Sequence, residues 1–344
     1  MRDFGLPLLA TTVVGSHGKP SWWFAGVRAW EAGQWGPYDL EEMGNHAVDV
    51  AIRDMEEAGI DVITDGEMRR LDGYVDSYYA IIRGIEPLPI PRKDGPWGYD
   101  QQQRYRAVGV IEPPPGGLGI VKEVQYALGR TQRLLKATCA GPLTFASRIE
   151  PGGPYRDVVA IAERFAEVVN RELRALVDIG VRWIQLDDPA RGNVSGKEMA
   201  RIFNLATEGV NAKLAYHLCF GNRYGRSRFK RSYRPYFPDL LEARAEQFVL
   251  EFASREMAEI ELWSEYGQGR ELAAGVVDVK SFYIETPEDV AARIRKALQH
   301  CPPERLMLAP DCGFGWSPHN MCVPKLRALV AGARLVRAEL GVRD

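Results

Sequence analysis

The sequence predicts an α/β protein of the (β/α)8 barrel type, formed as a single domain over residues 1–344. Three observations carry this expectation. Eight short apolar runs are spaced along the chain, and from residue 155 onward each is separated from the next by a helical pattern with short joints. The runs are apolar throughout rather than alternating, as strands covered on both faces must be. A chain of 344 residues also suits one such barrel as well as it suits two average domains.

The elements follow in order. "LLATTVVGS", "IDVITDGE" and "LLKATCAGP" supply the first three strands. "YRDVVAIAERFAEVVNRELRALVDIG" places Val158, Ile161, Phe165, Val169, Leu173 and Leu176 on one helical face. The strand "VRWIQLDDP" and the helix "SGKEMARIFNLATEGV" come next, then the strand "AKLAYHLCFGN", a helix near 238–246 and the strand "QFVLEFA". A helix near 256–266, the strand "AAGVVDVKS", the helix "TPEDVAARIRKALQH", the strand "RLMLAPDCG" and a last helix from about Val323 complete the alternation. Residues 85–133 break it. Their "EPLPIPRKDGPWGYD" and "EPPPGGLG" are rich in Pro and Gly, which predicts an inserted loop or hairpin after the second unit. Trp22, Trp23, Trp30 and Trp35 precede the first long helix and are expected to pack over one end of the barrel.

Composition removes several classes of function. Lys plus Arg (44) nearly balances Asp plus Glu (46), for a net charge of −2, so no global field points to nucleic acid or membrane. The early apolar run "GLPLLATTVVG" is too short to span a bilayer and lacks the flanks of a signal peptide. Five cysteines form no paired framework, so a reducing cytoplasm is expected and metal or catalytic use becomes open to them.

In a barrel the chemistry gathers at the C-terminal strand ends. The polar residues there are Ser16, His17, Glu67, Asp187, Asp188, His217, Cys219, Glu251, Lys280 and Cys312. Among them His217, Cys219, Glu251 and Cys312 carry the donor types that zinc prefers: imidazole nitrogen, thiolate sulfur and carboxylate oxygen. Taken singly, Cys312 reads as a buried structural thiol and Glu251 as a salt-bridged carboxylate. Their shared placement at strand ends favours a metal. The segment 221–237 follows with six basic residues interleaved with aromatics, either a solvated face or a lid for an anionic ligand.

The ordered motifs "TTVVGS", "DGE", "LDDPA", "HLCFGN", "LEFASREM" and "PDCG" resemble those of the cobalamin-independent methionine synthase family, in its short single-barrel form, from about residue 8 to 335. The resemblance implies a zinc ion on His217, Cys219, Glu251 and Cys312. It implies an amino-acid carboxylate at Val14, Gly15 and Ser16, with the ammonium group at Glu67 and Asp187. The implied reaction moves a methyl group to the sulfur of homocysteine, forming methionine. Two thiolates and a carboxylate around zinc would keep a bound sulfur electron-rich, which suits alkyl transfer better than water activation.

Three positions depart from the family pattern. Arg148 stands where the long form has a pterin-binding tryptophan, Lys280 where it has a proton-donating histidine, and Asn193 where an acid is expected. Lys280 is expected to serve as a proton donor or to anchor an anionic group. The donor is methylfolate or a methylcorrinoid, possibly on a carrier protein, and the departures tilt the expectation toward the corrinoid, whose cobalt leaves without protonation. Competing readings are an alkyltransferase acting on another thiol, such as coenzyme M, and a lyase of the uroporphyrinogen decarboxylase type.

Overall fold

The computed structural model describes residues 4–71, 75–89, 103–189, 194–222, 225–267 and 269–342. Asn193 and the segment 90–102 of the expected insertion lie outside them. Among the described residues the strands are β1 (Val62–Ile63), β2 (Arg83–Pro87), β3 (Tyr105–Glu112), β4 (Leu134–Leu135), β5 (Ala137–Ala140), β6 (Ile149–Glu150), β7 (Trp183–Asp187), β8 (Lys213–Leu218), β9 (Gln247–Leu250), β10 (Glu271–Val277) and β11 (Leu306–Pro310).

Six strands make one parallel sheet in the order β11-β10-β9-β8-β7-β5, and β1 pairs in parallel with β4. The fold is α/β with parallel sheets, and among the described residues its ladders do not join into one closed sheet. The first expected strand is reduced to isolated parallel bridges, Thr11 with Leu308 and Thr12 with Val62. A side chain explains this: Asp61 Oδ2 accepts both the Thr11 amide and its hydroxyl at 2.8 Å, taking a donor from the ladder.

Helices cover the sheets. Helix Val158–Asp178 starts at Asp157, whose carboxylate accepts the Ala160 amide at 2.8 Å, as an N-cap should. It buries Ile161, Phe165, Val169, Leu173 and Leu176 fully, each worth about 1.5–3 kcal/mol of transfer free energy. Helix Pro37–Ala58 and the last helix, His319–Glu339, pack against each other. No helix among the described residues is long and apolar enough to cross a membrane.

Several expected elements are shorter or shifted. Only a 3-10 turn, Asp239–Glu242, forms where a helix near 238–246 was expected, because Pro238 opens it and β9 begins at Gln247. The helix near 256–266 is confined to Glu261–Tyr266. Glu256, Met257 and Glu259 adopt positive φ, which ends any right-handed helix. The last helix starts at His319, before Val323, and contains Pro324. Within the expected insertion, β2 and β3 form an antiparallel hairpin that β6 joins.

Candidate active site

The parallel strands all point one way, so their C-terminal ends bring distant residues to one cavity of about 470 Å³. Val14, Gly15, Ser16, Glu67, Asp187, His217, Cys219 and Cys312 all line it. At its floor, His217 Nε2, Cys219 Sγ and Cys312 Sγ lie within 4.8 Å of one another. The two sulfurs are 3.3 Å apart as free thiols.

The imidazole of His217 is oriented from behind. Its Nδ1 lies 3.0 Å from the carbonyl oxygen of Val249 on the neighbouring strand, so Nδ1–H donates there and Nε2 carries the lone pair. That Nε2 is buried with no hydrogen-bond partner. An orphaned imidazole nitrogen beside two sulfurs is the arrangement a soft or borderline cation satisfies. The hydrogen bond from Cys219 holds the Cys312 thiol well below its usual value, against the penalty of burial, and His217 and Lys280 add to the effect. The same contact, with burial, raises the Cys219 thiol. One contact thus moves the two thiols in opposite directions.

Glu251 stands outside this group of three. Its Oε1 is 2.7 Å from Lys280 Nζ and 2.7 Å from Ser254 Oγ, while its Oε2 accepts the Phe220 amide at 3.1 Å. Lys280 therefore pairs with Glu251, and burial, which works to lower its ammonium, is overcome by Glu251 and then Cys312. Neither residue lines the main cavity.

The second half of the cavity is built around Glu67. This residue has φ of +52°, a strained conformation for a side chain with a Cβ, held because both carboxylate oxygens are engaged. Oε1 contacts Arg70 Nη1 and Thr138 Oγ1, each at 2.8 Å, and Oε2 accepts from Ser16 Oγ. Gly15 is required by this closeness: a Cβ there would stand 2.5 Å from Glu67 Oε1. Across the cavity, Asp187 Oδ1 accepts from Gln185 Nε2 at 2.7 Å.

Sequence reasoning missed several residues. Lys136 is buried within the sheet, its Nζ 2.7 Å from the Val13 carbonyl and 2.5 Å from Gln185 Oε1, and burial pushes it down to about 7. A lysine inside the apolar run "LLKATCAGP" was the available signal. Lys19 lines the cavity, sits 4.9 Å over the Trp23 ring and is lowered to about 8 by burial. Asp311 accepts the amides of Phe252, Ala253 and Ser254 at 2.9, 2.8 and 2.6 Å, which fixes the turn after Glu251. Trp23, expected only to pack, also lines the cavity with Phe24, Phe229 and Trp316. Arg148 lines it as well and is paired with Asp76. Of the basic loop 221–237, Arg228 and Phe229 reach the cavity, whereas Arg234 pairs outward with Glu261 at 2.6 Å.

Comparison with known proteins agrees with this geometry. Methionine synthase of Saccharolobus solfataricus is 35% identical over 345 residues, covering 97% of each chain. Methionine synthase of Sulfolobus acidocaldarius is 34% identical over 339 residues, covering 97% of this chain and 94% of its own. Among solved structures, a B12-independent methionine synthase from Shewanella sp. W3-18-1, in complex with selenomethionine, superposes with a TM-score of 0.81. It is 26% identical and covers 97% of this chain and 99% of its own. Residues 9–335 match the catalytic-domain family of cobalamin-independent synthases, and the chain belongs to that family.

Proposed function

We propose that the protein is a zinc-dependent methyltransferase that moves a methyl group to the thiolate of homocysteine, forming methionine. The observation that carries this reading is the meeting of His217 Nε2, Cys219 Sγ and Cys312 Sγ at the floor of a cavity whose wall holds Ser16, Glu67 and Asp187. The eight parallel segments are read as a (β/α)8 barrel in one domain, with the hairpin region 85–133 as its insertion. The bridges at Thr11 and Thr12 support this by linking β11 to β1.

His217, Cys219 and Cys312 would hold the zinc, and Glu251, still paired with Lys280 through one carboxylate oxygen, is the proposed fourth ligand. Zinc bound there would supply a Lewis acid that lowers the pKa of an incoming thiol and keeps its sulfur nucleophilic. The protein's residues do the rest. Glu67 and Asp187 bind the ammonium group of the amino acid, and Ser16 with the backbone at Val14 and Gly15 binds its carboxylate. Together they fix the side-chain sulfur toward Cys219 and Cys312, converting a bimolecular encounter into a positioned one. The apolar rim of Trp23, Phe24, Phe229 and Trp316 excludes water from the transfer.

Lys280 is committed to Glu251, so its role in this reading is to compensate charge beside the thiolates rather than to deliver a proton. That favours a methyl donor whose leaving group needs no proton, a methylcorrinoid free or on a carrier protein, over methylfolate. The setting is the cytoplasm. The test is methionine formation from homocysteine by zinc-loaded protein with each donor. Loss of product on Cys219→Ser and on Cys312→Ser is expected, and full activity of either variant would overturn the reading.

A further inference from the structure

A second convergence of ligand-type side chains lies outside the cavity. His17 follows Ser16 in the turn after the first bridged segment, Asp54 lies in helix Pro37–Ala58, and His319 opens helix His319–Glu339. His17 Nε2 is 2.9 Å from Asp54 Oδ2, and His319 Nε2 is 2.8 Å from the same oxygen. The two rings meet edge to face, with centroids 5.6 Å apart and an interplanar angle of 87°. The three donor atoms all lie within 4.8 Å of one another. None of these residues lines the cavity or contributes to the sulfur site.

We propose that His17, Asp54 and His319 form a second metal site, for a divalent first-row transition ion. Two imidazoles and one carboxylate are a donor set that such ions accept, with the remaining positions open to water. Ligands on a common ion at about 2.0–2.2 Å stand roughly 3 Å apart, so the two nitrogen–oxygen separations already match. Each imidazole now directs Nε2–H at Asp54. To bind the ion each ring moves that proton to Nδ1, leaving its charge unchanged and its Nε2 lone pair free.

The arrangement also suits a staple. His17 is held by its amide to the Gly66 carbonyl at 2.9 Å, and Ser16 accepts the Phe314 amide at 2.7 Å. An ion here would tie the turn carrying Ser16, the segment after Cys312 and helix Pro37–Ala58 into one body. His319 is the residue to change, because its side chain is 31% exposed whereas that of His17 is 1% exposed.

Metal-free protein titrated with Co²⁺ separates the two sites. Equilibrium dialysis counts all bound cobalt, while the sulfur-to-cobalt charge-transfer band reports only the Cys219 and Cys312 site. The expected result is two equivalents bound with the band complete at one. His319→Ala should bind one equivalent with the band intact, and the Cys219→Ser, Cys312→Ser double variant should bind one equivalent with no band. Asp54→Asn provides a second variant expected to match His319→Ala. One equivalent in the parent, or two retained by both His319→Ala and Asp54→Asn, would overturn the second site without touching the first. Absence of the band in the parent would count against the sulfur site alone.

Discussion

Lys280 Nζ lies 2.7 Å from Glu251 Oε1, and the two side chains are 6% and 0% exposed. This buried pair stands at the ends of β10 and β9 beside the two thiols. Removing one partner leaves the other charged and desolvated, which costs about 3–5 kcal/mol. Lys280→Met and Glu251→Gln should therefore each lower the denaturant midpoint markedly in metal-free protein, and the double variant should recover part of the loss. Strictly additive effects in that cycle would show that the pair is not coupled.

The metal assignment separates the five cysteines. Cys219→Ser and Cys312→Ser should each reduce tightly held zinc in the sulfur site, measured as thiolate charge transfer after cobalt replacement. Cys139, Cys301 and Cys322 are buried elsewhere and should be replaceable by Ala with the band unchanged. A band lost in Cys301→Ala or Cys322→Ala would contradict the ligand set.

The proposed reaction assigns recognition of the amino acid's ammonium group to Glu67. Charge-assisted contacts of its kind contribute roughly 1.5–3 kcal/mol, so Glu67→Gln should weaken homocysteine binding at least about tenfold. Propanethiol, which has no ammonium group, should bind the variant and the parent with similar affinity. Parent protein that binds both thiols equally would remove Glu67 from this role.

How much of this was legible beforehand depended on side-chain chemistry at strand ends. The apolar run ending in "HLC" and the one ending in "PDC" placed His217, Cys219 and Cys312 together, because parallel strands deliver their C-terminal residues to one face. Glu251 was placed at the same end, but nothing in "FVLEFA" shows that Ser254, Phe220 and Lys280 would occupy its oxygens. Such partners come from three different segments, and a single chain without aligned relatives does not reveal which segments meet. Helix lengths failed for a local reason of the same kind. Asp311 captures the amides of Phe252, Ala253 and Ser254, and Glu256 and Met257 follow at positive φ, so the helical pattern there starts late.

Lys136 gives a pH prediction. Burial lowers its pKa from 10.5 to about 7 in the folded protein. Between those values the unfolded chain binds the proton that the folded chain does not, so this residue makes stability rise with pH. The stability of the parent relative to Lys136→Met should climb between about pH 7 and pH 10, by no more than about 1.4 kcal/mol per unit for one proton. Paired urea denaturations at pH 7 and pH 9.5 check it. A difference that stays constant would mean that Lys136 keeps its proton throughout.

The methyl donor separates on steady-state rates. With Lys280 held by Glu251 and Arg148 paired to Asp76, a methylcorrinoid should support faster methionine formation than monoglutamyl methylfolate. Turnover with methylfolate and none with methylcobalamin or a methylated corrinoid protein would return Lys280 to proton delivery.

The central claim is that the substrate sulfur is brought to an ion held by His217, Cys219 and Cys312. Zinc-edge X-ray absorption of protein loaded with one equivalent of zinc, before and after homocysteine, tests it most directly. The expected result is an average of two sulfur neighbours per zinc that rises to three when homocysteine binds. A sulfur count that stays at two with saturating homocysteine would contradict it.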